Sequence, residues 1–201
     1  MLYLSLSVTG AATPFITVTG DESVIVATVA ANLAAMAAED SRSTLLVDAD
    51  MGNASASILF GVGLRAGLVD VVRHGVRITE SIVPVVVGRD TTVDVVPAGP
   101  GAAVALDQRS LDALRLEIAR LSRRYDFTVL TESVDRAERG GQSLHVAADV
   151  IVCARAGHTL LSGVAREIVR LRNAGAVVRG IVVWNAEVPT LPALAELRAS
   201  V

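Results

Sequence analysis

The feature that most constrains this chain is the alternation of short apolar runs with helically spaced stretches. The runs are Phe15–Thr19, Thr44–Val47, Val93–Val96, Phe127–Leu130, Val150–Ala154 and Val178–Trp184. Each is rich in Val, Ile or Leu and mostly lacks polar alternation, as expected of strands covered on both faces. Between them, Leu111, Leu114, Ile118 and Leu121 form one stripe of a helix over Leu111–Tyr125, leaving Arg115, Glu117, Arg120, Arg123 and Arg124 for its outer face. Ser110 or Asp107 can cap it. A second helix, Leu160–Asn173, places Leu161, Val164, Ile168 and Leu171 on one stripe and turns Arg166, Arg170 and Arg172 to water, with Gly175 positioned to end it. A third, from about Val26 to Ala38, has no charged face. Its alanines 30, 31, 34, 35, 37 and 38 permit a close approach to the sheet, which predicts a central helix directly after the first strand. The pattern predicts an α/β fold: a doubly wound, mostly parallel sheet flanked by helices.

With 52% hydrophobic residues in 201, the chain can close one sizeable core, so residues 1–201 read as a single domain. The longest apolar stretch, Val24–Ala38, is broken by Thr28 and Asn32 and falls short of the ~20 residues that span a membrane, so it reads as a buried helix. Met1–Val8 has neither a basic segment nor a small-residue cleavage site, which argues against a secretory signal and for a cytoplasmic chain. A net charge of −3 gives no electrostatic footprint for nucleic acid or an anionic membrane. Cys153, alone of its type, lies in an apolar run and reads as a small buried hydrophobe. His74, His145 and His158 lack metal-ligand spacing and read as surface or capping residues.

Ligands of open α/β sheets bind beyond the carboxyl ends of the strands, so the segments there carry the functional argument. One is the strand–loop–helix passage Thr19–Ala34; another is Leu45-Leu46-Val47-Asp48-Ala49-Asp50-Met51-Gly52, a buried strand ending in two carboxylates. The stretches Gly88–Thr92, Pro97–Ala103 and Ser133–Gln142 read as loops at strand ends.

On these motifs the chain resembles the MinD and ParA group of P-loop ATPases, and particularly the bacterial tyrosine-kinase domains of capsule and exopolysaccharide assembly. The likeness takes in Thr28–Ala34, LLVDAD at 45–50, Leu59-Phe60-Gly61, Gly67–Val72, Val95–Gly99, Arg124-Tyr125-Asp126, Ala148–Val152 and Ala174–Val183, in the family's order. It implies a vestigial nucleotide site at Gly20, Thr28 and Asn185, where Asn185 either contacts adenine or is a polar turn residue. Asp48 and Asp50 would be the catalytic carboxylates if any activity remains. They either bind Mg²⁺ weakly or serve as capping and hydrogen-bonding groups.

The departures matter as much. Where the family has Gly-Lys-Ser/Thr before the helix, this chain has Ile25-Val26-Ala27-Thr28, and only Thr28 matches. β-Branched residues resist the positive φ of a phosphate-wrapping loop. All 18 basic residues are Arg, so no displaced lysine can compensate. The missing charge pair is worth up to about 4 kcal/mol, near a thousandfold in affinity. Arg42 and Arg65 lie outside the loop, and a guanidinium does not replace an ammonium cleanly. On the Walker-B-like strand of the resemblance, Thr131 stands where the Mg²⁺-linked Asp belongs. Strand alternation turns Glu132 to the other face unless the register shifts at the strand end. The tyrosine-kinase resemblance implies a tyrosine-rich tail, whereas the two tyrosines of this sequence, Tyr3 and Tyr125, are not in a tail.

These departures predict a pseudo-enzyme with no cofactor, a tyrosine-kinase-like domain that binds rather than catalyses. Its implied partner is a membrane-embedded polysaccharide chain-length or export protein, through which it would associate with the membrane as the cytoplasmic part of a larger assembly; self-association is a further option. The alternatives are an active, divergent MinD-type ATPase using ATP and Mg²⁺ in flagellar, pilus or division positioning, and a structural subunit of such a system.

Overall fold

The computed structural model describes residues 15–63, 65–100, 107–133, 144, 147 and 149–185. The elements in chain order are β1 (Phe15–Gly20), α1 (Ser23–Glu39), β2 (Thr44–Asp48), α2 (Ser55–Leu59), α3 (Leu68–His74), β3 (Val83–Val87), β4 (Thr91–Val96), α4 (Gln108–Ser122), β5 (Phe127–Ser133), β6 (Asp149–Arg155), α5 (Leu161–Asn173) and β7 (Val177–Trp184), with a 3₁₀ turn at Ile78–Ser81. The strands form one sheet in the order β3-β4-β2-β5-β1-β6-β7. Every pairing is parallel except β3 with β4, an antiparallel hairpin at one edge.

Both faces are covered along β1, β2 and β5 and over most of β4 and β6, as their unbroken apolar runs require; β7 departs from that expectation, since it lies at the sheet edge with Ile181, Val183 and Trp184 exposed. On one face Ile16, Val18, Leu46, Val129 and Ile151 pack against α1. On the other, Leu45, Val47, Val96 and Leu130 meet α3 and α4, and Val150 and Val152 meet α5. Helix α1 lies over the middle of the sheet, against β5, β4, β1 and β2, because Ala30 and Ala34 present no side chain beyond Cβ and are fully buried there. Helix α4 buries Leu111, Leu114, Ile118 and Leu121, and Asp107 is its cap, accepting from the Ser110 amide at 2.8 Å.

Several expectations change. Strand β3 was not among the predicted strands, because Pro84 interrupts its apolar run; an edge position tolerates the missing N–H. Thr91 and Thr92 belong to β4 rather than to a loop, the hairpin turn being Gly88–Asp90. Strand β5 continues to Ser133, past the expected end at Leu130. Leu161 is 87% exposed, so the buried stripe of α5 begins at Val164. Arg170 does not simply face water: it holds the buried Glu167 carboxylate at 2.8 and 2.6 Å. His145, Tyr3 and most of the Ser133–Gln142 stretch lie outside the described residues. Among the described residues no helix is long and apolar enough to cross a membrane.

Candidate functional site

The strand order reverses about β1, which places the carboxyl ends of β1, β2, β5 and β6 side by side. The first surprise there is α1. It begins at Ser23, three residues earlier than its apolar pattern suggests, so only Asp21 and Glu22 separate it from β1. The residues that would form a phosphate loop are the first turn of the helix. Ile25 and Val26 donate their amides to the Glu22 carbonyl at 3.0 and 3.1 Å and bury their side chains in the core. Burial of those two side chains overrides the modest helix propensity of a β-branched run.

Gly20 serves a packing role. A Cβ there would sit 2.6 Å from the Cys153 carbonyl oxygen and 3.2 Å from Val26 Cγ2, so the residue is glycine because β6 and α1 approach it closely.

The connection is acidic where a phosphate site is basic. Glu22, at the helix N-cap, makes no capping hydrogen bond and instead pairs with Arg155 Nη1 at 3.3 Å. Asp21 Oδ1 accepts from the Thr159 hydroxyl at 3.1 Å. These two contacts tie the β1–α1 turn to the β6–α5 turn and place two carboxylates at the positive end of the helix dipole, the position an anionic ligand would take.

Thr28 lies in the second turn of α1, where its hydroxyl donates to the Val24 carbonyl at 2.7 Å. It lines a groove of about 470 Å³ with Ala35, Leu59, Phe60 and Val85–Val87. No hydrogen bond joins it to the carboxylates of β2 among the described residues. Asn185 follows β7 with φ +56°, exposed. Asn adopts this left-handed conformation more readily than most residues, which fits a polar turn. The structure therefore does not assemble Gly20, Thr28 and Asn185 into one site.

It does assemble Asp48, Asp50 and Thr131. Asp48 is fully buried at the end of β2. One oxygen accepts from the Ser57 amide and hydroxyl, both at 2.7 Å; the other accepts from the Thr131 hydroxyl at 2.9 Å and the Asp50 amide at 3.2 Å. Ser57 Oγ in turn accepts from the Ala98 amide at 2.9 Å. All four lone-pair directions of the carboxylate are thus used, and β2, α2, β5 and the segment after β4 meet at one group. Burial raises the Asp48 pKa; the Ser57 and Thr131 hydrogen bonds oppose this, and the neighbouring Asp50 charge adds to it.

Asp50 accepts from the Asn53 side chain at 3.1 Å, and the same Asn53 amide group donates to Ser23 Oγ at 2.8 Å. This network links the turn after β2 to the start of α1. Glu132 points the other way, as strand alternation requires, and accepts from the Leu144 amide at 2.5 Å. No group of three or more His, Cys, Asp or Glu side chains is placed to hold a metal among the described residues.

ATP with Mg²⁺ is the cofactor that the sequence resemblance implies, and the residues present do not fit it. The Ile25 and Val26 amides are spent within a helix, the chain has no lysine, all four lone-pair directions of Asp48 are used, and two carboxylates flank the helix terminus. Ser57, Asn53 and Ser23 escaped the sequence reading. An Asp-x-x-Asn spacing at 50–53 is a local turn signal that could have revealed Asn53, whereas Ser57 has none.

No protein-family model and no curated protein matches this chain. Solved structures do. The cobyrinic acid a,c-diamide synthase of Mycobacterium smegmatis superposes with a TM-score of 0.71 at 19% identity, over 93% of this chain and 80% of that one. The cell division ATPase MinD of Pyrococcus furiosus gives 0.67 at 21%, over 94% and 81%. The kinase domain of the Escherichia coli tyrosine kinase ETK gives 0.64 at 19%, over 89% and 71%. The chain has the doubly wound α/β fold shared by bacterial tyrosine-kinase domains and MinD ATPases.

Proposed function

We propose that this chain is a non-hydrolysing P-loop-like domain that works by binding, as a regulatory component of exopolysaccharide or capsule assembly. The observation that carries the reading is the β1–α1 connection: two residues, both acidic, leading into a helix whose first turn stands in place of a phosphate loop. A phosphate brought there meets Asp21 and Glu22 instead of a lysine. Asp48, which could otherwise serve a metal, is committed to holding four segments together. The chemistry of the site has been exchanged for structure, while the two-faced core remains intact. The pathway and the partner, a membrane-embedded polysaccharide chain-length or export protein, rest on the sequence resemblance to tyrosine-kinase domains of that system and on the fold likeness to ETK.

The test is a phosphate-release assay with Mg-ATP together with an autophosphorylation assay, each run on the wild type and on Thr28→Ala. Rates indistinguishable from buffer in both proteins are expected. Turnover that Thr28→Ala abolishes would favour a divergent ATPase instead.

A further inference from the structure

A cavity of about 300 Å³ opens beside the β1–α1 turn, between the end of β6 and α5. Val152, Cys153 and Val164 give it an apolar floor, and Asp21, His158, Thr159 and Glu167 supply its polar atoms. Small-molecule sites share this composition, mostly apolar with a few convergent polar groups.

The charge in the cavity is one-sided. Glu167 is 7% exposed, and its two oxygens are taken by Arg170, so that pair is neutral. Asp21 forms no ion pair among the described residues; its hydrogen bond is to the Thr159 hydroxyl. Among the described residues no arginine lines the cavity, and its one basic side chain is His158. Cys153 remains a neutral thiol, pushed up to about 12 by burial and then by the Asp21 charge. An anion entering here would face the Asp21 carboxylate with no guanidinium on the described lining to offset it, whereas a cation would pair with it. We propose that the cavity binds a small organic cation, an ammonium on a short apolar body, with the ammonium on Asp21 and the body against Val152, Cys153 and Val164. The proposal goes beyond the partner-binding reading and does not depend on it.

Three probes of one shape test it by amide NMR titration: benzylamine, benzyl alcohol and benzoate. Benzylamine should give saturable shifts at Cys153, Thr159 and Gly163, with benzyl alcohol about five- to tenfold weaker and benzoate weaker still. Asp21→Asn should bring benzylamine to the level of the alcohol. Gly163→Leu provides a fold-preserving plug, because a Cβ at Gly163 meets no atom within 4 Å; it should remove binding of benzylamine and of benzyl alcohol and leave the thermal melt intact. The proposal is overturned by benzylamine failing to saturate, by benzoate binding as tightly, or by either substitution leaving benzylamine affinity unchanged.

Discussion

Thr131 donates its hydroxyl to Asp48 at 2.9 Å across the β2–β5 pairing, where the two residues sit directly opposite each other. A carboxylate at position 131 would face a second buried carboxylate there. The threonine instead makes the two strand ends attractive, and Asp48 becomes a structural hub.

Removing that hub should be costly. Asp48→Ala leaves the Ser57 amide and hydroxyl, the Thr131 hydroxyl and the Asp50 amide without their acceptor, and should destabilise the fold by about 3 kcal/mol in urea unfolding. Thr131→Val removes one donor and should cost about 1 kcal/mol.

The Asp48 carboxyl also makes stability depend on pH, with an unusual sign. Its folded pKa lies above the unfolded value, so the folded state holds the proton more tightly between the two. Its contribution is full below pH 3.8 and is lost as pH rises through the folded pKa. Asp126 behaves oppositely, because the Ser43 hydroxyl and amide lower its pKa; its contribution is present above pH 3.8 and lost as pH falls. Urea unfolding from pH 3 to 7 should show the Asp48→Asn variant gaining on wild type as pH rises, and Asp126→Asn losing.

Gly20→Ala should destabilise the protein with no ligand present, by about 2 kcal/mol, because the new methyl meets the Cys153 carbonyl at 2.6 Å. A glycine required only to approach a phosphate would tolerate alanine in the absence of nucleotide. Thermal melts of the two proteins decide between these roles.

Restoring the lysine should not restore a site. Val26 is buried in the core, so Val26→Lys places a charge there and should cost more than about 3 kcal/mol without producing nucleotide affinity. Circular-dichroism melts with and without Mg-ATP measure both effects.

Thr128 is fully buried in β5, and its hydroxyl has no hydrogen-bond partner among the described residues. Thr128→Val exchanges that hydroxyl for a methyl of nearly the same shape and should stabilise the fold by about 0.5–1 kcal/mol in urea.

The sheet was legible wherever an apolar run was long enough to need cover on both faces. Six of the seven described strands announce themselves as apolar runs, although the run of β7 lies exposed at the sheet edge rather than covered, and β3 escapes through Pro84 and its exposed edge. Helices α4 and α5 declare themselves by periodicity. The short α2 and α3 do not, since five and seven residues complete too few turns for a pattern to repeat. At the site, the loss of the loop glycines and lysine was plain, but its structural consequence was not. Nothing local to Ser23–Val26 states that Ile25 and Val26 will be buried, and it is burial that winds them into α1. The role of Asp48 was hidden for a similar reason, because two of its hydrogen bonds come from Ser57, nine residues away on another element.

Calorimetric titration of the purified chain with ATP and Mg²⁺ tests the central claim most directly. The two-residue acidic turn predicts no heat of binding up to millimolar nucleotide. A saturable isotherm that Thr28→Ala weakens would contradict it, and would mean that the first turn of α1 unwinds to form a site without a lysine.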